Sequence, residues 1–400
     1  MLALYIMVHE RTITRHKALI PLAFFMIFMI ISALRARDAE VAFLGLQNTF
    51  YVPLTTSVLT LIPFEAHRFT GFTTYFFCVF LFLIASQEDD HEWLLKISIG
   101  GAVIVASIAV LQFYKFDIIK HVFVNMKGNP LSATMGNSNF LATYLVFLIP
   151  APICYYLQSR RNTWLVATGI IYAGLLVSTT RGAWLAAGLV FIFIVIHTLL
   201  KVFKEKNKED IIRTLKLIII LILTFLFITI ILNSFNDDIF LRIQSIPEQM
   251  GKAARLDDSA GSSRMYIWKK AFEVFLKNWA FGIGPDHLIY EEIIMPGNNA
   301  VIADKVHNIY LEIATTMGIF ALISYIVFLS FFLRKWKNTT GFVYFSMILT
   351  YLIQGLFNID VIMVLPIFWI ILGFALCNMI NTDFVFNRQR LEKISYGELY

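Results

Sequence analysis

Three side chains hold the chemistry this sequence can offer: Arg181, Arg264 and His307. Arg181 stands inside "STTRGAWLAAGLVFIFIVI" (178–196), where one apolar run stops and the next begins. A guanidinium is costly there, yet its planar fork of donors matches phosphate oxygens. Ser178, Thr179 and Thr180 precede it, and Gly182 and Ala183 follow, so a ligand can come close to the backbone. A snorkelling arginine at a helix end is the plainer account, and for Arg181 alone it serves as well.

Arg264 begins the apolar face of "GSSRMYIWKKAFEVFLKN" (261–278), shared with Trp268, Ala271, Phe272 and Phe275. Lys269, Lys270, Glu273 and Lys277 fall largely off that face. The pattern predicts an amphipathic helix at about 263–278 resting at a membrane interface. Ser262 and Ser263 are the expected N-caps, and a helix N-terminus attracts anions. His307 follows Lys305 in "KVHNIYLEIATTMGIF" (305–320), where another apolar run starts. A bystander histidine at an interface is as common as a functional one, but beside two arginines an imidazole suits general-base work. Asn308 and Glu312, one turn apart, are expected to orient or cap. His287, in "GIGPDHL", is the weaker candidate, since the Gly-Ile-Gly-Pro turn reads as positioning backbone.

What must carry these residues is a membrane bundle. The 400 residues are 58% hydrophobic and 15% charged, with a mean hydropathy of +0.72. A soluble protein of this size could not hide so much apolar surface. The apolar runs are continuous and not alternating, so the reading is all-α, a polytopic bundle of about 10–12 spans and not a β-barrel. Ten are drawn: 18–34, 71–86, 93–113, 139–157, 163–179, 182–203, 213–233, 308–333, 339–357 and 360–380. The stretch 41–63, with its prolines, amides and threonines, is either re-entrant, superficial or an eleventh span. One integral membrane domain, 1–400, is expected, with one large extracytoplasmic loop at 234–307.

Short basic loops set the orientation. "QSRRN" (158–162), "KEKNKED" (204–210), "RKWKN" (334–338), the N-terminal "ERTITRHK" and the C-terminal "NRQRLEK" share one side, read as cytoplasmic. "RARD" (35–38) then faces outward, against the rule. Arg181 and the 234–307 loop fall on the outer side. The net charge of +6 is explained by these loops and implies no nucleic acid. Cys78, Cys154 and Cys377 lie in spans and read as small buried hydrophobes. There is no P-loop, no H-E-x-x-H and no Cys/His cluster, so neither ATP hydrolysis, a metal site nor a cofactor is expected. The donor of any transferase here would ride on a lipid. A transporter or flippase of an anionic solute or lipid-linked glycan is the alternative, kept open by Gln354 and Asn358 and weakened by nearly charge-free spans and the absence of a visible repeat.

Over roughly 130–330 the sequence resembles the O-antigen ligase and polymerase superfamily of bacterial envelope proteins. The marks, in order, are "GNSNFLATYLVFLIP", "STTRGAWLA", "SSRMYIWKKAFEVF", "GIGPDHL" and "HNIYLEIATTMGIFALISY", with "HRFTGFTTYFF" (67–77) nearer the start. The resemblance implies a GT-C-like helical fold in the bacterial plasma (inner) membrane. It implies metal-independent transfer of a glycan from an undecaprenyl-pyrophosphate donor to a hydroxyl of a glycan, lipid or protein acceptor on the outer face. Carried over by motif, Arg181 and Arg264 would bind the pyrophosphate and His307 would activate the acceptor. Asn308, Glu312, Trp268 and Ser178 would support them.

Overall fold

The computed structural model describes residues 16–47, 49–55, 58–65, 68–88, 92–116, 132–234, 238–295, 302–334, 336 and 338–380. Most of "ERTITRHK", all of "NRQRLEK", Asp89–Asp90, Asp237 and much of the 114–138 segment lie outside them. The described residues are helical apart from one hairpin. In chain order the helices are α1 Leu19–Arg35, α2 Ala39–Leu44, α3 Phe72–Ala85, α4 Glu92–Phe113, α5 Ser138–Leu148, α6 Pro150–Ser159, α7 Asn162–Val177, α8 Arg181–Glu205 and α9 Lys208–Asn233. Then come α10 Asp238–Ala254, α11 Ala260–Lys277, α12 Ile309–Met317, α13 Ile319–Ser330, α14 Thr339–Gly355 and α15 Leu365–Ile380.

Each of the ten expected ranges carries helix. Four helical stretches are long and apolar enough to cross a bilayer: Glu92–Phe113, Ser138–Ser159, Arg181–Glu205 and Lys208–Asn233. Five more are apolar but have only 10–17 residues. Burial separates centre from rim. The apolar window of Ser138–Ser159 is 83% buried, while that of Lys208–Asn233 is 17% buried. The rim helices show Leu223, Phe227 and Ile230 outward, as helices facing lipid do. In the core, Phe147, Tyr351 and Phe368 interlock, the last two stacked with centroids 3.9 Å apart. Phe82 and Phe328 pack with Trp369 beside them.

Two expectations change. The stretch 41–63 is not an eleventh helix. After α2 it forms an antiparallel hairpin, β1 Thr49–Thr55 with β2 Val58–Glu65. Its β-branched residues, threonines and prolines suit strand and turn better than helix. The expected single span 308–333 is broken at Gly318, which has φ +87°. A Cβ there would lie 2.2 Å from the Ala280 carbonyl oxygen, and one on Gly282 would lie 2.3 Å from Thr316. These two glycines let the 278–284 segment dock on the broken helix, where Gly284 N–H donates to Thr316 O (2.8 Å) and Ile319 N–H to Trp279 O (2.8 Å). The "GIGPDHL" turn thus positions backbone.

Gly318→Ala should lower the melting temperature of the detergent-solubilised protein by the equivalent of more than ~1 kcal/mol, because both the positive φ and the close approach forbid a side chain. An unchanged melting temperature would mean that the break is not held by this contact.

Candidate active site

The start of α8 forms one wall of a cavity of about 370 Å³, with α10, the start of α11 and Phe357 forming others. Arg181, Arg242 and Arg264 all line it. Arg181 is the first residue of α8. Thr179 before it has φ +52°, and Thr180 is an extended cap residue whose side chain makes no capping bond. Arg181 donates from Nη1 to Ser245 Oγ (3.1 Å) and from Nη2 to Ser262 Oγ (3.2 Å). Ser178 lines the cavity too, but its hydroxyl is engaged with Leu175 O (2.6 Å).

Arg264 reaches the cavity by an unusual backbone path. Gly261, Ser262 and Ser263 are all left-handed, at φ +64°, +60° and +66°. Glycine adopts this conformation freely, but for the two serines it costs about 1–3 kcal/mol each and persists only where the surroundings impose it. The two serines therefore do not act as the expected N-caps, since Ser262 instead receives Arg181. The helical face is also rotated from its expected setting. Ile267, Ala271 and Val274 are buried and Phe272 is exposed, because α11 packs on α12. Arg264 Nη1 donates to Phe357 O. Gly182 allows this, as a Cβ on it would lie 2.8 Å from Phe357 Cβ. Burial, and then the charge of Arg181, push the Arg264 pKa down to about 10, which leaves it protonated at neutral pH. No carboxylate is paired with either arginine among the described residues. The exposed Glu248 is tied to Lys252 at 2.9 Å.

His307 does not line this cavity. It follows Val306, whose carbonyl Trp268 holds, and is half-buried with φ +59° and with Nδ1 without a hydrogen-bond partner among the described residues. Its pKa is lowered to about 3 by burial first and then by Arg264, with Arg68 and Lys305 adding and Asp304 opposing. The imidazole is thus neutral and able to accept a proton, but a weak base while Arg264 is unneutralised. Trp268 fixes its neighbour, because Nε1–H donates to Val306 O (3.0 Å). Asn308 caps α12, accepting from Leu311 N–H (3.0 Å).

Glu312 belongs to an ion network that the sequence reading missed. Lys305, almost fully buried, pairs with Asp286 and with Glu312 (3.1 Å), and donates to Thr70 Oγ1 (2.9 Å). Asp286 also accepts from the N–H groups of Leu46 and Thr70, each at 3.0 Å. Glu312 Oε2 accepts from Val306 N–H (2.7 Å). These bonds hold the Asp286 pKa down and the Lys305 pKa up against the opposing effect of burial. Beside them, Arg68 pairs with Asp304 at 2.5 Å. His287 is structural. Its Nδ1–H donates to Pro285 O (2.8 Å) while Nε2 accepts from Asp38 N–H (3.1 Å). Asp38 in turn accepts from Tyr290 OH (2.9 Å). Asn358 is bound to Thr143 Oγ1 (2.6 Å) on α5. Arg242 had only one sequence signal, its place within the outer loop. Asp286 and Thr70 did lie in quoted motifs.

The apolar helices and this end cavity define a polytopic helical membrane protein with an arginine-lined recess at one end of its bundle. The sequence model of the O-antigen ligase family matches residues 164–326, which supports membership in that family. The matched stretch contains Arg181, Arg264 and His307; Arg68, Asn139 and Phe357 reach the site from outside it. Similarity to that family points to a membrane enzyme of the glycosyltransferase kind, with ligase or polymerase-type function on glycan or lipid-linked substrates. None of the curated proteins compared with the chain matches it.

Lys305→Met should be strongly destabilising, by roughly 3–5 kcal/mol, because it leaves buried carboxylates uncompensated. Adding Asp286→Asn to that variant should restore part of the loss in thermal melts. Equal melting of single and double variants would show that the two charges do not act as a pair.

Proposed function

We propose that the protein transfers a glycan from a polyprenyl-pyrophosphate donor to an acceptor hydroxyl, at the extracytoplasmic end of a bacterial plasma-membrane bundle. The observation that carries this reading is the meeting of Arg181 and Arg264 in one cavity, with no carboxylate partner among the described residues. Such a pair is repulsive when empty and is relieved by an anion of two or more charges. The donor pyrophosphate fits that need. Leu185, Ile246 and Met265, which also line the cavity, give its lipid an apolar exit.

In the reaction His307 takes the proton of the acceptor hydroxyl. The freed oxygen attacks the anomeric carbon, and the bond from that carbon to the pyrophosphate oxygen breaks. The leaving group's new negative charge falls on the guanidinium groups, fixed donors of the kind that stabilise developing charge. Donor binding also tunes the base. Arg264 is one cause of the low His307 pKa, so neutralising it raises that pKa toward the range where a general base works well. The acceptor hydroxyl enters between the cavity and His307, beside Arg264. No metal or cofactor takes part in this scheme.

His307→Ala should remain in the membrane and bind donor while losing transfer, by about 10²-fold or more. Arg181→Lys and Arg264→Ala should weaken donor binding and turnover, whereas Lys269→Ala should be mild. The assay is transfer by purified variants from a defined polyprenyl-pyrophosphate glycan, and near-normal turnover without His307 would remove it as the base.

The orientation has its own test. A cysteine at the exposed Ser259, on a background lacking native cysteines, should react with an impermeant thiol reagent in intact cells. Labelling only after lysis would put the cavity on the cytoplasmic side and end this reading.

A further inference from the structure

At the end of α13 remote from His307, four helix ends enclose a second cavity of about 370 Å³. It lies between the residues leading into α1, the exit of α13, the start of α14 and the end of α15. Its character changes with depth. His16, Lys17 and Arg334 line the rim, while Phe345 and Ile348 on α14 and Ala375 on α15 form an apolar wall one to two turns inward.

Among the described residues the rim cations lack counter-ions. Neither Lys17 nor Arg334 makes an ion pair among the described residues, and Arg334 is spread over the Phe331 ring at 4.4 Å. Arg160 shows the contrast. It lines the adjoining cavity, which shares Trp336 with this one, and it is neutralised by Asp210 at 3.2 Å. His16 accepts the Ala18 N–H at Nδ1 (3.1 Å), which leaves Nε2–H as a neutral donor. Burial, and then the charges of Arg334 and Lys17, lower its pKa.

We propose that this cavity binds one anionic membrane phospholipid, its phosphate held by Lys17, Arg334 and His16 and an acyl chain laid along Phe345 and Ile348. Two cations unpaired among the described residues and a neutral donor line one cavity, as phosphate recognition requires. The apolar wall beside them would stay unfilled by a soluble anion. The basic loops 158–162 and 334–338 assign this end to the cytoplasmic leaflet, whose anionic lipids are drawn to such clusters. The bound lipid would join four helix ends.

The test is lipid titration of the full-length, detergent-purified protein, read by native mass spectrometry and thermal melting. Phosphatidylglycerol should be retained as one tightly held molecule and should raise the melting temperature, and phosphatidylcholine should do neither. Lys17→Glu with Arg334→Glu should weaken phosphatidylglycerol retention roughly tenfold or more. Arg161→Glu, an exposed charge outside the cavity, should leave it unchanged. Should the double reversal fold poorly, Lys17→Gln and Arg334→Gln singly should each give an intermediate loss. Equal retention of the two lipids, or undiminished retention by the Lys17 and Arg334 variants, would overturn the proposal. So would equal stabilisation by inorganic phosphate alone, which would make the site one for a soluble anion.

Discussion

The buried lysine between two carboxylates is the interaction on which the functional end of this bundle rests. Lys305 joins Asp286, in the turn after α11, to Glu312 on α12 and to Thr70 ahead of α3. Three stretches far apart in sequence are fixed to one ammonium group. Burying such charges gains little over an apolar replacement, but removing one partner is severe. The network therefore specifies an arrangement more than it adds stability. That arrangement is the path of residues 305–309, on which His307 is held in a left-handed conformation.

Positive φ and charge meet at the candidate site. Thr179 before Arg181, Ser262 and Ser263 before Arg264, and His307 itself all have positive φ. None is a glycine, so each conformation must be imposed by neighbours. The arginines are likewise held against repulsion, and their hydroxyl and carbonyl partners are neutral. On the proposed function, a bound pyrophosphate would offset the charge repulsion between the arginines. Other cations are settled locally, Lys96 by Glu92 at 3.0 Å and Lys270 by Glu273 at 2.9 Å.

Glycine placement links the fold to the site. Gly318 and Gly282 allow the 278–284 segment to lie against α12 and α13, and Gly182 allows α8 to meet Phe357, whose carbonyl receives Arg264. In each case a missing Cβ brings backbone within reach of a functional element. The break at Gly318 also shows how a helix can be interrupted within an apolar stretch when neighbouring backbone satisfies the freed groups.

The sequence by itself determined the helices and the residues worth watching. Continuous apolar runs have one solution in a bilayer, so the ten helical ranges were legible; positions at the ends of such ranges marked Arg181 and His307, and the apolar face of a loop helix marked Arg264. It could not determine the hairpin at 49–65, the rotation of α11 that buries Ile267 and Val274, or the failure of Ser262 and Ser263 to cap. Those depend on which neighbour a face meets, and local pattern does not encode that. Nor could it show that Glu312 serves Lys305, that Trp268 holds Val306, or that Arg242 joins the cavity. Helix formation follows from short-range backbone bonding and hydrophobicity, which sequence displays directly. The ion network and the arginine cluster join residues up to hundreds of positions apart, and only tertiary packing decides those meetings.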